Sequence, residues 1–136
     1  MIKKDEFTFQ NFKGFDKDLR NIRKKCPSLD EDLKGFKAAL TVDIKHNAYR
    51  VPTNTEKYSK VNKIHSKHYN AYVCKRFRCM ESNKGAGQTP FRLTFIYNAE
   101  ESIIYFIQFY FKGNAEKEDF SKLKTAINIL EKKYYY

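Results

Sequence analysis

The stretch FRLTFIYNAEESIIYFIQFYF, residues 91–111, decides the fold. Phe91, Leu93, Phe95 and Tyr97 alternate with Arg92, Thr94, Ile96 and Asn98, which is the period of a β-strand. A second run, 102–111, is equally rich in Ile, Phe and Tyr, and only Asn-Ala-Glu-Glu separates the two. So short a connection makes the chain double back into an antiparallel pair. Upstream, residues 71–80 (AYVCKRFRCM) predict a third strand, joined to 91 through a hairpin at Lys84-Gly85-Ala86-Gly87. Glu6-Phe7-Thr8-Phe9 alternates polar with apolar and predicts an N-terminal strand.

Between these strands the period changes. Phe15, Leu19, Ile22 and Cys26 recur at spacings of four, three and four, which describes a short amphipathic helix stopped by Pro27. Ser28-Leu29-Asp30-Glu31 is an S-x-x-E capping signal, and Leu29, Leu33, Phe36, Leu40 and Ile44 carry a second helix that folds back on the first. Residues 46–70 are polar and contain Pro52 and Asn54, so they read as an insert or loop with at most one helical turn. Phe120, Leu123, Ile127 and Leu130 predict a C-terminal helix, and 134–136 form a tail. The expected fold is α+β: an N-terminal strand and helical hairpin on an antiparallel four-stranded sheet, with a C-terminal helix, in a single domain spanning 1–136.

The chain has 136 residues, 41% of them hydrophobic, enough for one buried core and too few for two. It contains no apolar run long enough to cross a membrane, and its N-terminus lacks the hydrophobic stretch of a signal peptide, so the expected location is the cytoplasm. Three cysteines, Cys26, Cys74 and Cys79, make an odd number and do not suggest a disulfide framework. The net charge of +11 points to a polyanionic partner, whether nucleic acid or an acidic protein, although a lysine-rich proteome raises charge without any such role. Acidic residues cluster near Asp30 and Glu116, which leaves 57–92 heavily basic.

On a strand spanning 71–80, Tyr72, Cys74, Arg76, Arg78 and Met80 share one face, with the two arginines about 7 Å apart. If Arg92 faces the same side, three guanidinium groups converge, and their planar forks suit phosphate oxygens. The competing reading pairs each arginine with a carboxylate such as Glu81 or Glu100. Lys112, at the end of the last strand, shares a face with Gln108 and Tyr110 and offers a fourth cation, or simply solubility. His65 and His68 with Cys74 and Cys79 invite a zinc reading, but C-x₄-C on a strand points its thiols apart, so no metal is expected. No G-x-S-x-G, H-E-x-x-H or paired-carboxylate signature is present. A stacking RNA-binding module would use Tyr72 and Phe77, which the alternation places on opposite faces.

Taken in order, these segments resemble the RelE/HigB-type toxins of type II toxin–antitoxin systems. FKGFDKDLRNIRKKCPSLDEDLKGF is similar to their opening helical hairpin. Lys75-Arg76-Phe77-Arg78, Lys84-Gly85-Ala86-Gly87, Phe91-Arg92-Leu93 and Tyr97 resemble the family's K-x-R…GK-x-G-G-[FY]-R-x-x-Y meander. Ile107-Gln108-Phe109-Tyr110-Phe111-Lys112 leading into Glu118-Asp119-Phe120 is similar to its close. The resemblance implies a metal-independent, ribosome-dependent mRNA endonuclease in which the ribose 2′-OH attacks the adjacent phosphate. It implies a cognate antitoxin, mRNA and the ribosome as partners, with no membrane and no small-molecule cofactor. Arg76, Arg78, Arg92 and Lys112 carry over as phosphate and transition-state contacts; Lys75, Lys84, Lys67 and Arg50 are the expected RNA-binding residues. Where relatives place a proton-transferring Tyr or His near the C-terminus, this chain has Phe120, which leaves Tyr110, His68 or the terminal tyrosines for that role. A non-cleaving member of the superfamily, either a ParE-like gyrase inhibitor or an inactive antitoxin- or RNA-binding protein, is the alternative.

Overall fold

A computed structural model describes residues 6–81, 90–112 and 119–132. Its elements are β1 (Thr8–Asn11), α1 (Phe15–Arg23), α2 (Leu29–Lys45), β2 (Tyr58–Lys60), β3 (Asn70–Cys74), β4 (Phe91–Asn98), β5 (Ile103–Phe111) and α3 (Phe120–Glu131). The strands form one sheet in the order β1-β5-β4-β3-β2, with β1 parallel to β5 and every other pair antiparallel. The α+β class and the central meander are as expected, but the sheet has five strands rather than four.

The two faces of the sheet bury different helices. Leu93, Phe95, Tyr97, Phe106 and Phe109 pack with Phe15, Ile22, Leu33, Phe36 and Leu40 of the helical hairpin. Ala71, Val73, Ile96, Tyr105 and Ile107 pack with Leu123, Ala126, Ile127 and Leu130 of α3. Because both faces are covered, all eight residues of β4 are buried. A bulge between Thr94 and Phe95 sets Phe95 opposite Phe106 and Thr94 opposite Gln108, so β5 absorbs one extra residue.

Several boundaries moved for local reasons. The first strand runs over Thr8–Asn11 rather than 6–9, with Phe9 opposite Ile104. Gly14 precedes α1 at φ 96, a left-handed conformation that costs glycine least. Helix α1 ends at Arg23, not Cys26, because Pro27 disfavours helical backbone at the residue before it. The predicted capping box at Ser28 does not form: Ser28 Oγ donates to Asp32 Oδ2 at 2.6 Å instead. Residues 46–70, read as a loop, supply β2 and bury Tyr58, Val61, Ile64 and Tyr69. Among the described residues, no helix is long and apolar enough to cross a membrane.

At the start of α3, Asp119 accepts a hydrogen bond from the Lys122 backbone N–H at 3.2 Å. Asp119→Ala is expected to cost about 1 kcal/mol, lowering Tm by about 3–5 °C in a thermal melt, whereas Asp119→Asn keeps the cap and stays within about 1 °C.

Candidate anion-binding face

β3 ends at Cys74, and the strand expected over 71–80 goes no further. Beyond it the alternation slips. Tyr72, Cys74, Phe77 and Cys79 all enter the hairpin-side core, although a continuous strand would send Phe77 and Cys79 to the other face. The cause is covalent and apolar. Cys79 is disulfide-bonded to Cys26, 53 residues earlier, and Phe77 packs on Phe36, Phe91 and Phe109, with ring centroids 4.8–6.4 Å apart. The expectation of no disulfide is therefore corrected for this pair, while Cys74 is free and buried.

The register itself separates the two arginines from Arg92, because an unbroken strand would set them on the face of Cys74, which pairs with Leu93. Arg76 pairs with Glu56 and lines two adjoining cavities of about 410 and 300 Å³, and Arg78 lines the larger one with Glu31, Asp32, Phe36 and Met80. Both face α2 across the edge of the hairpin layer. Neither Glu81 nor Glu100 is the partner of Arg76. Its Nε is buried with no hydrogen-bond partner among the described residues.

Arg92 lies on the opposite face. It follows Phe91 and precedes Leu93, both in the hairpin-side core, so its own side chain takes the α3 side of β4. It is 6% exposed, and its Nη1 donates to the carbonyls of Lys75 and Phe91, each at 3.2 Å. The three-guanidinium cluster therefore does not form.

What gathers around Arg92 is a different set. Tyr110 is its direct partner across β4 and β5, and Lys112, exposed, follows two residues on, its backbone N–H held by Pro90 O at 2.8 Å. Lys75, half-buried, supplies the carbonyl that Arg92 grips. Gln108 Oε1 accepts from the Asp119 backbone N–H at 2.8 Å, which fixes the start of α3 beside the same face. Phe120 is 36% exposed there, outside the α3 core. Thr94 Oγ1, fully buried on this face, has no hydrogen-bond partner among the described residues.

The remaining sequence candidates sit elsewhere. His68 precedes β3, and its Nδ1 lies 3.2 Å from Glu100 Oε1. Asn70 pairs with Tyr97, whereas Arg92 lies five residues back along β4, so His68 and Lys67 are at the other end of the sheet, on the order of 17 Å away. Arg50, exposed, belongs to that end too, because the preceding carbonyl, Tyr49 O, accepts from Tyr97 Oη at 2.9 Å. Lys84 and the Gly85–Gly87 turn lie outside the described residues. Two features passed unseen in the sequence, the Arg76–Glu56 pair and a half-buried cluster in which Tyr58 Oη (2.6 Å) and Lys57 Nζ (2.9 Å) donate to Asp43 Oδ2. No periodic signal marks residues that meet only through tertiary folding.

The architecture is that of a small α+β protein, with a helical hairpin and a lone helix on opposite faces of a mostly antiparallel sheet whose one end is cationic. This fold is RelE-like. The chain is similar to a chain of the archaeal RelE-RelB complex from Pyrococcus horikoshii OT3, with a TM-score of 0.52 at 15% sequence identity, covering 80% of this chain and 98% of that one. At that identity the likeness is one of fold. No family model and no curated protein matches the chain.

Proposed function

We propose that the protein is the toxin of a toxin–antitoxin pair and acts as a ribosome-dependent mRNA endonuclease. The observation that carries this reading is the placement of Arg92 opposite Tyr110, with exposed Lys112 two residues beyond, at one end of a RelE-like sheet. Cleavage would begin when a base removes the 2′-OH proton. The O2′–P bond then forms, the P–O5′ bond breaks, and the departing 5′ oxygen takes a proton. Negative charge accumulates on the phosphorane, where a fixed guanidinium and an ammonium stabilise it. Tyr110 is the ionisable group beside Arg92 and takes the proton-moving role that Phe120 cannot fill. An acidic antitoxin segment suits a chain of net charge +11.

Expression without an antitoxin is expected to arrest growth and to yield mRNA cut at the ribosomal A site, mapped by primer extension. Arg92→Ala should lower cleavage about 10²-fold, or about 2.7 kcal/mol, with Tyr110→Phe next in effect and far-UV circular dichroism unchanged. Intact mRNA with normal growth would sink the reading. A second reading, a non-cleaving relative that binds only its partner or gyrase, is favoured by Phe120 and by the 6% exposure of Arg92. It predicts intact mRNA, and DNA-damage signalling if gyrase is the target.

A further inference from the structure

The disulfide does not stand alone. Cys26 Sγ, Cys79 Sγ and an Asp32 carboxylate oxygen all lie within 4.8 Å of one another, where the turn between α1 and α2 meets the segment after β3. Ser28 Oγ completes the group, 3.8 Å from Cys26 Sγ, 3.7 Å from Cys79 Sγ and 2.6 Å from Asp32 Oδ2. Asp32 Oδ2 is 3.4 Å from Cys26 Sγ.

These separations match a coordination shell. Zinc bonds of about 2.3 Å to sulfur and 2.0–2.2 Å to oxygen place a sulfur and an oxygen about 3.6 Å apart in a tetrahedron, and two sulfurs about 3.8 Å apart. Cys26 Sγ to Asp32 Oδ2, at 3.4 Å, and the two sulfurs to Ser28 Oγ, at 3.7 and 3.8 Å, bracket that edge, with Cys79 Sγ within 4.8 Å of the Asp32 carboxylate. The two sulfurs, bonded to each other in the disulfide, need to part, and Ser28 Oγ, 2.6 Å from Asp32 Oδ2, must draw back to a tetrahedral O–O edge of about 3.4 Å or give way to a water. We propose that, once its disulfide is reduced, the cluster of Cys26, Cys79 and Asp32 binds a thiophilic divalent cation, zinc by its donor set, with Ser28 Oγ or a water in the fourth position.

The surroundings serve such a site. The Met80 backbone N–H donates to Asp32 Oδ2 at 3.0 Å and the Glu81 N–H to Ser28 Oγ at 3.3 Å, so both oxygens are oriented before any ion arrives. Both sulfurs are buried, while Asp32 lines the 410 Å³ cavity beside Arg78 and exposed Met80, which provides a way in. Arg78 also offsets the negative charge left by two thiolates and a carboxylate around a dication. The step balances with a dithiol reductant: its two sulfurs join, and its two electrons and two protons convert the disulfide into two thiols. Zinc then displaces both thiol protons to solvent. Either state ties the segment bearing Arg76 and Arg78 to the turn between α1 and α2, by a covalent bond to Cys26 when oxidised and by a metal shared with Cys26 and Asp32 when reduced.

Cobalt(II) reports on such a site. Full-length protein, reduced with a dithiol that is then removed, is expected to bind one equivalent of Co²⁺ with thiolate-to-metal charge-transfer and tetrahedral d–d absorption. Zinc should displace it, and the disulfide form should bind none. Cys79→Ser should abolish the charge-transfer band, and Asp32→Asn should weaken binding on the order of 10-fold or more. If reduction alone loosens the fold, added zinc should restore the native circular dichroism spectrum. Reduced wild-type protein that shows no thiolate–cobalt band and no recovery with zinc overturns the proposal, as does a band that survives in Cys79→Ser.

Discussion

Replacing Phe106 by alanine is expected to cost about 3–5 kcal/mol, enough to leave the native state barely populated if its total stability falls in the usual range of about 5–15 kcal/mol. Phe106 is fully buried on β5, and its ring centroid lies 5.6 Å from Phe9, 5.3 Å from Phe15 and 6.2 Å from Phe36. One side chain thus joins β1, α1 and α2 to the centre of the sheet. Those neighbours belong to three separate elements and cannot all collapse into the vacated volume, so the cavity term adds to the lost transfer energy. Urea denaturation should show a large drop in midpoint at unchanged slope. Ile129→Ala, on a residue 48% exposed, serves as the control and should stay within about 0.5 kcal/mol. A Phe106→Ala loss below about 1 kcal/mol would mean that this junction is not where the helical hairpin is anchored.

Raising the pH above 10 is expected to unfold the protein steeply, because buried tyrosines keep protons that the unfolded chain gives up. Burial, followed by the hydrogen bond to Asp43, pushes the Tyr58 phenol far above its ordinary value. Burial first, then the neighbouring Tyr72 and Tyr49, pushes Tyr97 up to about 12. A folded-state pKa raised in this way gives stability that is fully present below pH 10 and lost as the pH climbs towards the folded value. Each such tyrosine removes about 1.4 kcal/mol per pH unit in that window, so by pH 12 the pair removes about 5 kcal/mol. Burial raises Tyr72 and Tyr105 as well, in the same direction. Tyrosinate absorbance and far-UV circular dichroism should change together, since these phenols ionise only as the structure opens. Tyr58→Phe should flatten the stability profile above pH 10 while costing about 1–3 kcal/mol at neutral pH, where Asp43 loses a donor. Tyr58 or Tyr97 titrating near pH 10 in a still-folded protein would contradict the burial described here.

The two strands at 91–98 and 103–111 were legible because each is long and bounded, and because the alternation of Phe91, Leu93, Phe95 and Tyr97 decides which side of β4 faces the hairpin. The helices were legible by the same logic at a period of 3.6, with Leu29, Leu33, Phe36, Leu40 and Ile44 all buried as their spacing required. β2 was not legible. Three residues, Tyr-Ser-Lys, carry only one fully buried side chain, and the strand exists because Tyr58, Ser59 and Lys60 find Cys74, Val73 and Tyr72 to pair with. The end of β3 was misread because the chain 71–80 looks continuous in hydrophobicity. The slip that brings Phe77 and Cys79 into the hairpin-side core is held by a bond to a cysteine 53 residues away, whereas Arg76 and Arg78 would oppose the Arg92 face even on an unbroken strand, because Cys74 pairs with Leu93.

The candidate site divides along the same line. That Arg92 and Thr94 oppose the apolar side of β4, and that Lys112 shares a face with Tyr110, follow from alternation over a few residues, an interaction range in which every backbone step turns the side chain by half a revolution. The sequence by itself therefore determined the long strands β4 and β5, the helices and the side of β4 on which Arg92 falls. Only the tertiary structure decided that Tyr110 stands opposite Arg92, that His68, Lys67 and Arg50 lie at the far end of the sheet, and that Cys26 reaches Cys79. Register and long-range contact depend on how whole faces fit together when the core closes, and local period carries no record of that.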